Sequence, residues 1–324
     1  MTQAIRVHQT GGPEVLRWES IDVGAPGPGE IRVRHTRVGL NYIDVYFRIG
    51  LYPTPTPFVP GFEAAGIVDA LGPEVADLKV GDRVAYANGP LGAYAEQRVL
   101  PADRVVPLPA SITDDQAAAM MLQGMTAQYL LRRTYRVQRG DTILVHAAAG
   151  GVGLILCQWA KQLGATVIGT VSTDEKAALA QAHGCTHPII YTREDFHARL
   201  MEITEGRKVP VVYDSVGVDT FAKSLDCLAP LGMMVLFGQA SGPVPPLDLG
   251  QLAAKGSLFV TRPTLFTYTA KRSDLLATAQ ELFDVVGSGA VKIAVNQTYA
   301  LSDAAQAHRD LEGRRTTGST VFTV

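Results

Sequence analysis

The residues whose types and spacing carry chemistry lie in one stretch, Gly140-Asp141-Thr142-Ile143-Leu144-Val145-His146-Ala147-Ala148-Ala149-Gly150-Gly151-Val152-Gly153. Aligned on the dinucleotide fingerprint, Ala148, Gly150 and Gly153 take its three glycine positions. The first permits a tight turn, the second lets backbone approach a pyrophosphate, and the third lets a helix pack closely on a strand. The implied chemistry is anion binding: a diphosphate on a helix N-terminus, against Ala149, Gly150, Gly151, Val152 and Gly153, where free amides and the helix dipole favour negative charge. The neighbouring elements are the ones this needs. Thr142 to His146 is a short apolar run suited to a strand buried on both faces. Leu154 to Leu163 carries apolar residues at helical spacing, and Gly164 ends it.

The second chemical question is which dinucleotide. A site for the unphosphorylated cofactor offers Asp or Glu at the end of the second strand, about 20 residues after the first glycine position. Here that position is Val171, followed by Ser172, Thr173 and Lys176, which suit a 2′-phosphate. Asp174 and Glu175 argue the other way, but Ser172-x-x-Glu175 reads as a capping box and both acids suit the first turn of a helix. The missing acid and the added lysine together point to NADPH.

Beyond Gly164 the chain alternates strand and helix. Strands are expected at Thr166 to Val171, Pro188 to Tyr191, Val209 to Asp214, Met233 to Gly238 and Ser257 to Thr261, with helices at Asp174 to His183, Arg193 to Thr204 and Thr220 to Leu228. With the fingerprint strand these make the six strands of a doubly wound α/β sheet. From Ala4 to about Ala110, short apolar runs are broken by glycine and proline turns, the texture of a mainly antiparallel β domain. Pro53, Pro55, Pro57 and Pro60 make Tyr52 to Pro60 a loop. Thr113 to Leu131 is a helix, and the tail adds helices at Asp274 to Val286 and Ser302 to Leu311 and a strand near Thr320 to Val324. The nucleotide domain, 125–264, is thus expected as an insertion in a second domain made of 1–124 and 265–324. The cleft between the two is the expected ligand site.

Composition narrows the partners. The 324 residues are 47% apolar and 19% charged, with a net charge of −2, so no basic surplus draws nucleic acid or an anionic membrane. Cys157, Cys185 and Cys227 lie far apart without a CxxC pair, which suggests buried thiols in a reducing cytoplasm. Arg6 and His8 interrupt the only apolar stretch at the N-terminus, so it does not read as a signal peptide. No apolar run approaches the ~20 residues of a membrane span.

Gly140-Asp141, Leu144, Ala148-Ala149-Gly150-Gly151-x-Gly153 and Gln158-x-x-Lys161 resemble the long signature of the zinc-independent, zeta-crystallin-like quinone oxidoreductases of the medium-chain dehydrogenase/reductase superfamily. The resemblance extends over the chain through Asn41-Tyr42-Ile43-Asp44-Val45-Tyr46, Pro60-Gly61-Phe62-Glu63, Gly81-Asp82-Arg83-Val84 and Val212-Tyr213-Asp214-Ser215-Val216-Gly217. It implies a Rossmann domain inserted in a GroES-like catalytic domain, and a homodimer. Zinc alcohol dehydrogenases of the superfamily carry Cys where this chain has Asn41, and Gly-His-Glu where it has Gly61-Phe62-Glu63. Neither Asn nor Phe supplies the thiolate or imidazole of a catalytic zinc, and Ala87 to Leu100 holds none of the cysteines of a structural one. No metal is therefore expected. Without a Lewis acid, alcohol oxidation is disfavoured, whereas a quinone or conjugated enone spreads the incoming charge itself.

The resemblance also nominates residues. Asn41, Asp44, Tyr46 and Tyr52 are the expected catalytic set, with Asn41 and Tyr46 also on the nicotinamide side. Asn41 suits a hydrogen bond to the ribose or to a substrate carbonyl, or simply caps a helix; Tyr46 and Tyr52 suit a developing oxyanion, or pack as core. Thr126 and Tyr129, placed at the start of a helix bridging the domains, would touch the nicotinamide and phosphate regions. Tyr191 would cover the adenine or its 2′-phosphate, and Arg314 would reach that phosphate. Val216, Phe237, Gly238, Ser241, Val260 and Thr261 fall at carboxyl ends of strands, where open α/β sheets bind ligands. His146 reads as a core histidine, no hydrolase triad has support, and no acid with an obviously tuned pKa stands out as the proton source. The expected activity is reduction of quinones by NADPH. Reduction of enone or enal double bonds is the alternative within enzymes, and a non-catalytic NADPH- or RNA-binding protein the alternative outside them.

Overall fold

Apolar residues alternate with polar ones from Ile31 to His35 and then run together from Val38 to Leu40, so the strand they form is half-buried at first and wholly buried where it ends. The computed structural model describes residues 1–324. In it this strand, β3 (Glu30–Leu40), follows an antiparallel pair, β1 (Thr2–Val7) and β2 (Leu16–Ile21). β3 pairs antiparallel with β4 (Ala64–Leu71), with β6 (Gln97–Pro101) and with the C-terminal strand β15 (Ser319–Thr323). β4 continues to β5 (Arg83–Tyr86) and β7 (Val106–Pro107), and β14 (Val295–Ala300) joins β15 in parallel, giving a seven-stranded sheet. The tail therefore contributes two strands, β14 and β15, where the sequence pattern shows one. β14 alternates exposed and half-buried residues at a sheet edge, a weak apolar signal. The proline-rich segment is a loop outside all strands, touching β1 only through a bridge between Val7 and Phe58.

Two helices follow from this frame. α1 (Tyr42–Arg48) begins one residue after β3, and α2 (Asp114–Tyr129) is nearly all buried. α2 passes close over β3 because Gly39 has no side chain. A methyl group there would run into the carbonyl oxygen of Ala118 and Oε2 of Glu63.

The second sheet is wholly parallel. Its strands are β8 (Thr142–Val145), β9 (Thr166–Val171), β10 (His187–Ile190), β11 (Val209–Asp214), β12 (Leu228–Leu236) and β13 (Phe259–Thr261), in the order β10-β9-β8-β11-β12-β13. Numbered from its own first strand this is 3-2-1-4-5-6, the doubly wound order, with its switch point between β8 and β11. The helices are α3 (Gly151–Gln162), α4 (Asp174–Ala182), α5 (Phe196–Ile203), α6 (Phe221–Asp226) and α7 (Gly250–Ala254). α3 starts at Gly151, earlier than the apolar periodicity from Leu154, because its first turn is made of glycines and Val152. α5 starts at Phe196 rather than Arg193, since the carboxylate of Asp195 accepts from the amides of His197 and Ala198 and sets the N-cap there. Strand β12 begins at Leu228, five residues ahead of the apolar run from Met233. Three helices complete the chain: α8 (Leu265–Tyr268), α9 (Arg272–Gly287) and α10 (Ala304–Glu312).

The chain divides into two compact units, Met1–Met125 with Tyr268–Gly287 and Ile293–Val324, and Thr126–Thr267 with Ser288–Lys292. No helix is long and apolar enough to cross a membrane. The close approach at Gly39 has a measurable consequence. Gly39→Ala should lower the unfolding free energy by about 1–3 kcal/mol, the cost of overpacking against backbone, seen as a lower urea midpoint at unchanged slope.

Candidate active site and dinucleotide site

Asn41 is the N-cap of α1 and is almost wholly buried. Its backbone N–H donates to Asp44 Oδ2 (2.9 Å), the return half of a capping box. Its side chain is held from both ends. Nδ2 donates to Glu63 Oε2 (2.6 Å), and Oδ1 accepts from Gln123 Nε2 (3.2 Å) on α2. Glu63 Oε1 in turn accepts from the backbone N–H of Leu122 (2.8 Å). The amide of Asn41 thus has a fixed orientation and one N–H left over. Asn41 caps the helix, as one of the two sequence alternatives has it, and is bracketed by Glu63 and Gln123 as well.

Asp44 continues a second buried chain. Tyr94 Oη donates to Asp44 Oδ2 (2.9 Å) and lies 3.1 Å from His308 Nε2; Arg48 Nη1 lies 3.1 Å from His308 Nδ1. Arginine can only donate, so Nδ1 accepts, Nε2 carries the proton and donates to Tyr94, and every hydrogen bond points towards Asp44. Arg48 is anchored by both oxygens of Glu312 on α10 (2.7 and 2.8 Å). Asp44 Oδ1, also buried, has no hydrogen-bond partner.

Burial dominates the protonation of these groups. It pushes the carboxyl of Asp44 up to about 7, against the donors Asn41 N–H and Tyr94 O–H, and that of Glu63 up to about 8, against Asn41 and Leu122. His308 is driven down to about 3 by burial and the adjacent Arg48. Two tuned acids therefore exist where the sequence suggested none. Glu63 carries a signal that composition hides: it is the one charge in the apolar run Glu63-Ala64-Ala65-Gly66-Ile67-Val68. Gln123, Tyr94 and His308 have no such signal, being brought to α1 from distant segments, and Arg48, at the end of α1 itself, meets its partners only in the fold.

Tyr46 is buried and Tyr52 half-buried, and their rings meet edge to face at 5.2 Å. Tyr42 meets Tyr46 at a tilt (5.5 Å), Phe47 meets Tyr52 edge to face (5.5 Å) and Phe62 meets Phe47 at a tilt (5.3 Å), a continuous aromatic wall. Phe62 and Asn41, at the positions of the zinc ligands in the resembling alcohol dehydrogenases, are thus spent on ring packing and on the Glu63–Gln123 bracket. No group of three or more His, Cys, Asp or Glu is placed to hold a metal ion.

In the second unit the turn after β8 is tighter by one residue than the fingerprint suggests. Ala147, not Ala148, takes the left-handed conformation (φ +54°), and its carbonyl accepts from Gly150 N–H (3.0 Å). Alanine tolerates this at a modest cost because its Cβ is small. A Cβ on Gly153 would collide with that same carbonyl, so glycine is required there. The N-cap of α3 is Gly150, without a side-chain cap and with no acid in the first turn. Its first amides, through Gly151, Val152 and Gly153, remain available to an anion, and Ala149 is buried behind them. These features fit a dinucleotide pyrophosphate.

The remaining nominated residues fall as follows. α4 is capped by Thr173, whose Oγ1 accepts from Lys176 N–H (3.3 Å), so the Ser172–Glu175 capping box is not formed, although the helix begins at Asp174 as expected. Ser172 lies between β9 and that cap, and Lys176 is half-buried on the first turn. Tyr191 follows β10 directly and is exposed. Thr126 and Tyr129 are both buried at the C-terminal end of α2, not at the start of a helix. The loop after β11 is closed by Asp214, whose Oδ1 accepts from Val216 and Gly217 N–H (2.6 and 3.1 Å). Ser241 Oγ donates to Val216 O (2.8 Å), tying that loop to the one holding Phe237 and Gly238. Val260 and Thr261 are in the edge strand β13, and Arg314 is exposed in the first unit just past α10. His146 is a satisfied core histidine, between Thr170 Oγ1 (2.9 Å) and Ser224 Oγ (2.8 Å), lowered in pKa by burial. All three cysteines are free and buried.

Comparison with known proteins decides the family. The chain is 55% identical over 323 residues to a quinone oxidoreductase of Pseudomonas aeruginosa, covering 99% of each. The chain belongs to the quinone oxidoreductases of the medium-chain dehydrogenase/reductase superfamily. Within the superfamily, residues 27–110 match the alcohol dehydrogenase GroES-like domain and residues 151–281 the zinc-binding dehydrogenase family. The quinone oxidoreductase of Escherichia coli, solved in complex with NADPH, superposes with a TM-score of 0.98 at 49% identity, over 99% of this chain and all of that one. A 2-haloacrylate reductase of Burkholderia is 47% identical over 330 residues, 99% of each chain. The expected fold, a Rossmann sheet with a GroES-like domain, is the fold of this family.

The raised carboxyls fix a pH dependence of stability. Asp44 and Glu63 bind protons more tightly folded than unfolded, where they titrate near 3.8 and 4.5. Their contribution is full below about pH 4 and is lost as pH rises through about 7 to 8. The unfolding free energy should therefore fall by a few kcal/mol across that interval, and Asp44→Asn should flatten the fall. Urea titrations at a series of pH values measure both; an unchanged slope in the variant would show that Asp44 is ionised throughout.

Proposed function

We propose that the protein reduces quinones with NADPH. The observation that carries this reading is the end-to-end match to quinone oxidoreductases, one of them solved with NADPH. When bound, the cofactor supplies a hydride. The second unit holds it, with the backbone of Ala149 and Gly150 and the amides of Gly151 to Gly153 on the pyrophosphate and Ser172, Thr173, Lys176 and Tyr191 about the adenosine phosphate. Thr126, Tyr129, Val216, Phe237, Gly238, Ser241, Val260, Thr261 and Arg314 are proposed to complete that site. The first unit receives the acceptor. The free N–H of Asn41, oriented by Glu63 and Gln123, donates to the quinone oxygen that gains charge, and the wall of Tyr46 and Tyr52 stacks on the quinone ring. Asp44, buried at the foot of α1 with a pKa near neutrality, holds the proton that the reduced oxygen needs. A second reading, reduction of a carbon–carbon double bond conjugated to a carbonyl or carboxylate, is favoured by the 2-haloacrylate reductase match.

We also propose a cytoplasmic homodimer. Three free buried thiols suit a reducing compartment. β13 ends its sheet with an open edge, and Phe259 (56% exposed), Val260 (37%) and, on the neighbouring strand, Leu231 (67%) are apolar and uncovered. Such an edge is a template for pairing with a second copy.

Following NADPH absorbance with a panel of quinones and of enones and 2-haloacrylates tests the activity. Turnover is expected with quinones; brisk reduction of the double-bond substrates with none of the quinones would replace the first reading by the second. Gel filtration should show a dimer that Phe259→Lys with Val260→Lys converts to monomer, and a monomeric wild type would remove the dimer.

A further inference from the structure

Asp174 is the unresolved charge at the adenosine end of the nucleotide unit. It lies three residues past the end of β9, in the first turn of α4, two residues before Lys176. A bare carboxylate there would repel a 2′-phosphate. Both of its oxygens are taken by one guanidinium: Arg193 Nη1 donates to Oδ2 (2.8 Å) and Nη2 to Oδ1 (2.6 Å). The fork-to-fork geometry is the strong form of this pair, and it lowers the carboxyl of Asp174 and raises the guanidinium of Arg193.

Arg193 comes from the loop after the neighbouring strand, β10, and that loop is built to present it. The amide of Tyr191 donates to Val171 O (3.1 Å) and Thr192 Oγ1 to Ser172 O (2.9 Å), which clamps the two strand exits side by side. Arg193 N–H and Glu194 N–H both return to Ile190 O (3.0 Å each), and Glu194 Oε1 accepts from Ile190 N–H (2.9 Å). This tight turn delays α5 to Phe196 and carries Arg193 back over α4. The two side chains are 58% and 70% exposed, so the pair contributes little to stability. Its placement, beside Ser172, Thr173 and Lys176, accounts for it better than folding does.

We infer that Arg193 is a determinant of cofactor choice, acting by cancelling the charge of Asp174 so that a phosphorylated adenosine is accepted on that side of Lys176. This rests on the NADPH reading above and adds a residue to it. Two of the five N–H donors of Arg193 are used on Asp174, and the charge of the pair is zero, so Asp174 no longer opposes an anion beside Lys176.

The test is titration of the whole protein with NADPH and NADH, followed by cofactor fluorescence at low ionic strength, where exposed charges are least screened. Wild type, Arg193→Gln, Asp174→Asn and the double variant are compared. Arg193→Gln should weaken NADPH about 10-fold and leave NADH within about 2-fold, and adding Asp174→Asn should bring NADPH back to within about 3-fold of wild type. NADPH affinity unchanged by Arg193→Gln, or lost and not recovered in the double variant, overturns the inference while the NADPH reading stands. A wild type that binds NADH as tightly as NADPH overturns that reading and the inference with it. Equal thermal midpoints for all four proteins, expected from the exposure of both side chains, exclude a folding defect as the cause.

Discussion

Two carboxyl groups with no access to water, Asp44 and Glu63, constrain the first unit more than any other feature. Each would cost several kcal/mol to bury ionised and alone, so each is provided with donors, and Asn41 supplies one to both: its backbone N–H to Asp44 and its side-chain Nδ2 to Glu63. The end of β3, the start of α1, the exit of the proline loop and the middle of α2 must therefore converge on one residue. Gly39 is bare because α2 has to come that close, and Gln123 closes the bracket from its side. The same burial that makes these acids expensive also raises their affinity for protons into the neutral range, so a constraint of folding and a capacity for proton chemistry have one origin.

The polarity of the second buried chain reinforces this. From Arg48 through His308 and Tyr94, each group donates towards Asp44, while Arg48 is held from behind by Glu312, and burial, reinforced by the adjacent arginine, keeps the histidine neutral. α10 is thereby fastened to α1 by polar contacts in a region otherwise filled by apolar packing. A mismatched hydrogen bond in such a chain would be costly, so the network specifies one arrangement of α1 rather than merely stabilising it.

The nucleotide unit solves the opposite problem. Its sheet is largely apolar on both faces, with local polar contacts at His146 and Asp214; what it must leave open is a helix end. Gly150 caps α3 without a side chain, and Gly153 and Ala147 bring the turn close enough for backbone alone to face a phosphate. In the loops after β9 and β10 the charge of Asp174 is answered by Arg193.

Local pattern was enough for much of this. The strand–glycine–helix unit, the six alternating strands, the all-β texture of the first hundred residues and the family are legible because hydrophobic period and short motifs are properties of neighbouring residues. The start of α5, the extent of β12 and the cap of α4 were not, since each turns on one side-chain hydrogen bond or on pairing with a strand elsewhere. The raised proton affinity of the two acids escaped for the same reason, although Asp44 itself was among the expected catalytic residues. Nothing near Asp44 in the chain says that water is excluded from it, the apolar run after Glu63 is only a hint, and the residues that answer Asp44 and Arg48, from Tyr94 to Glu312, lie 50 to 264 positions away from them. The amino-acid order thus settled the sheet, the phosphate turn and the family, while burial, and with it the tuned protonation of Asp44 and Glu63, existed only once distant segments had closed over them.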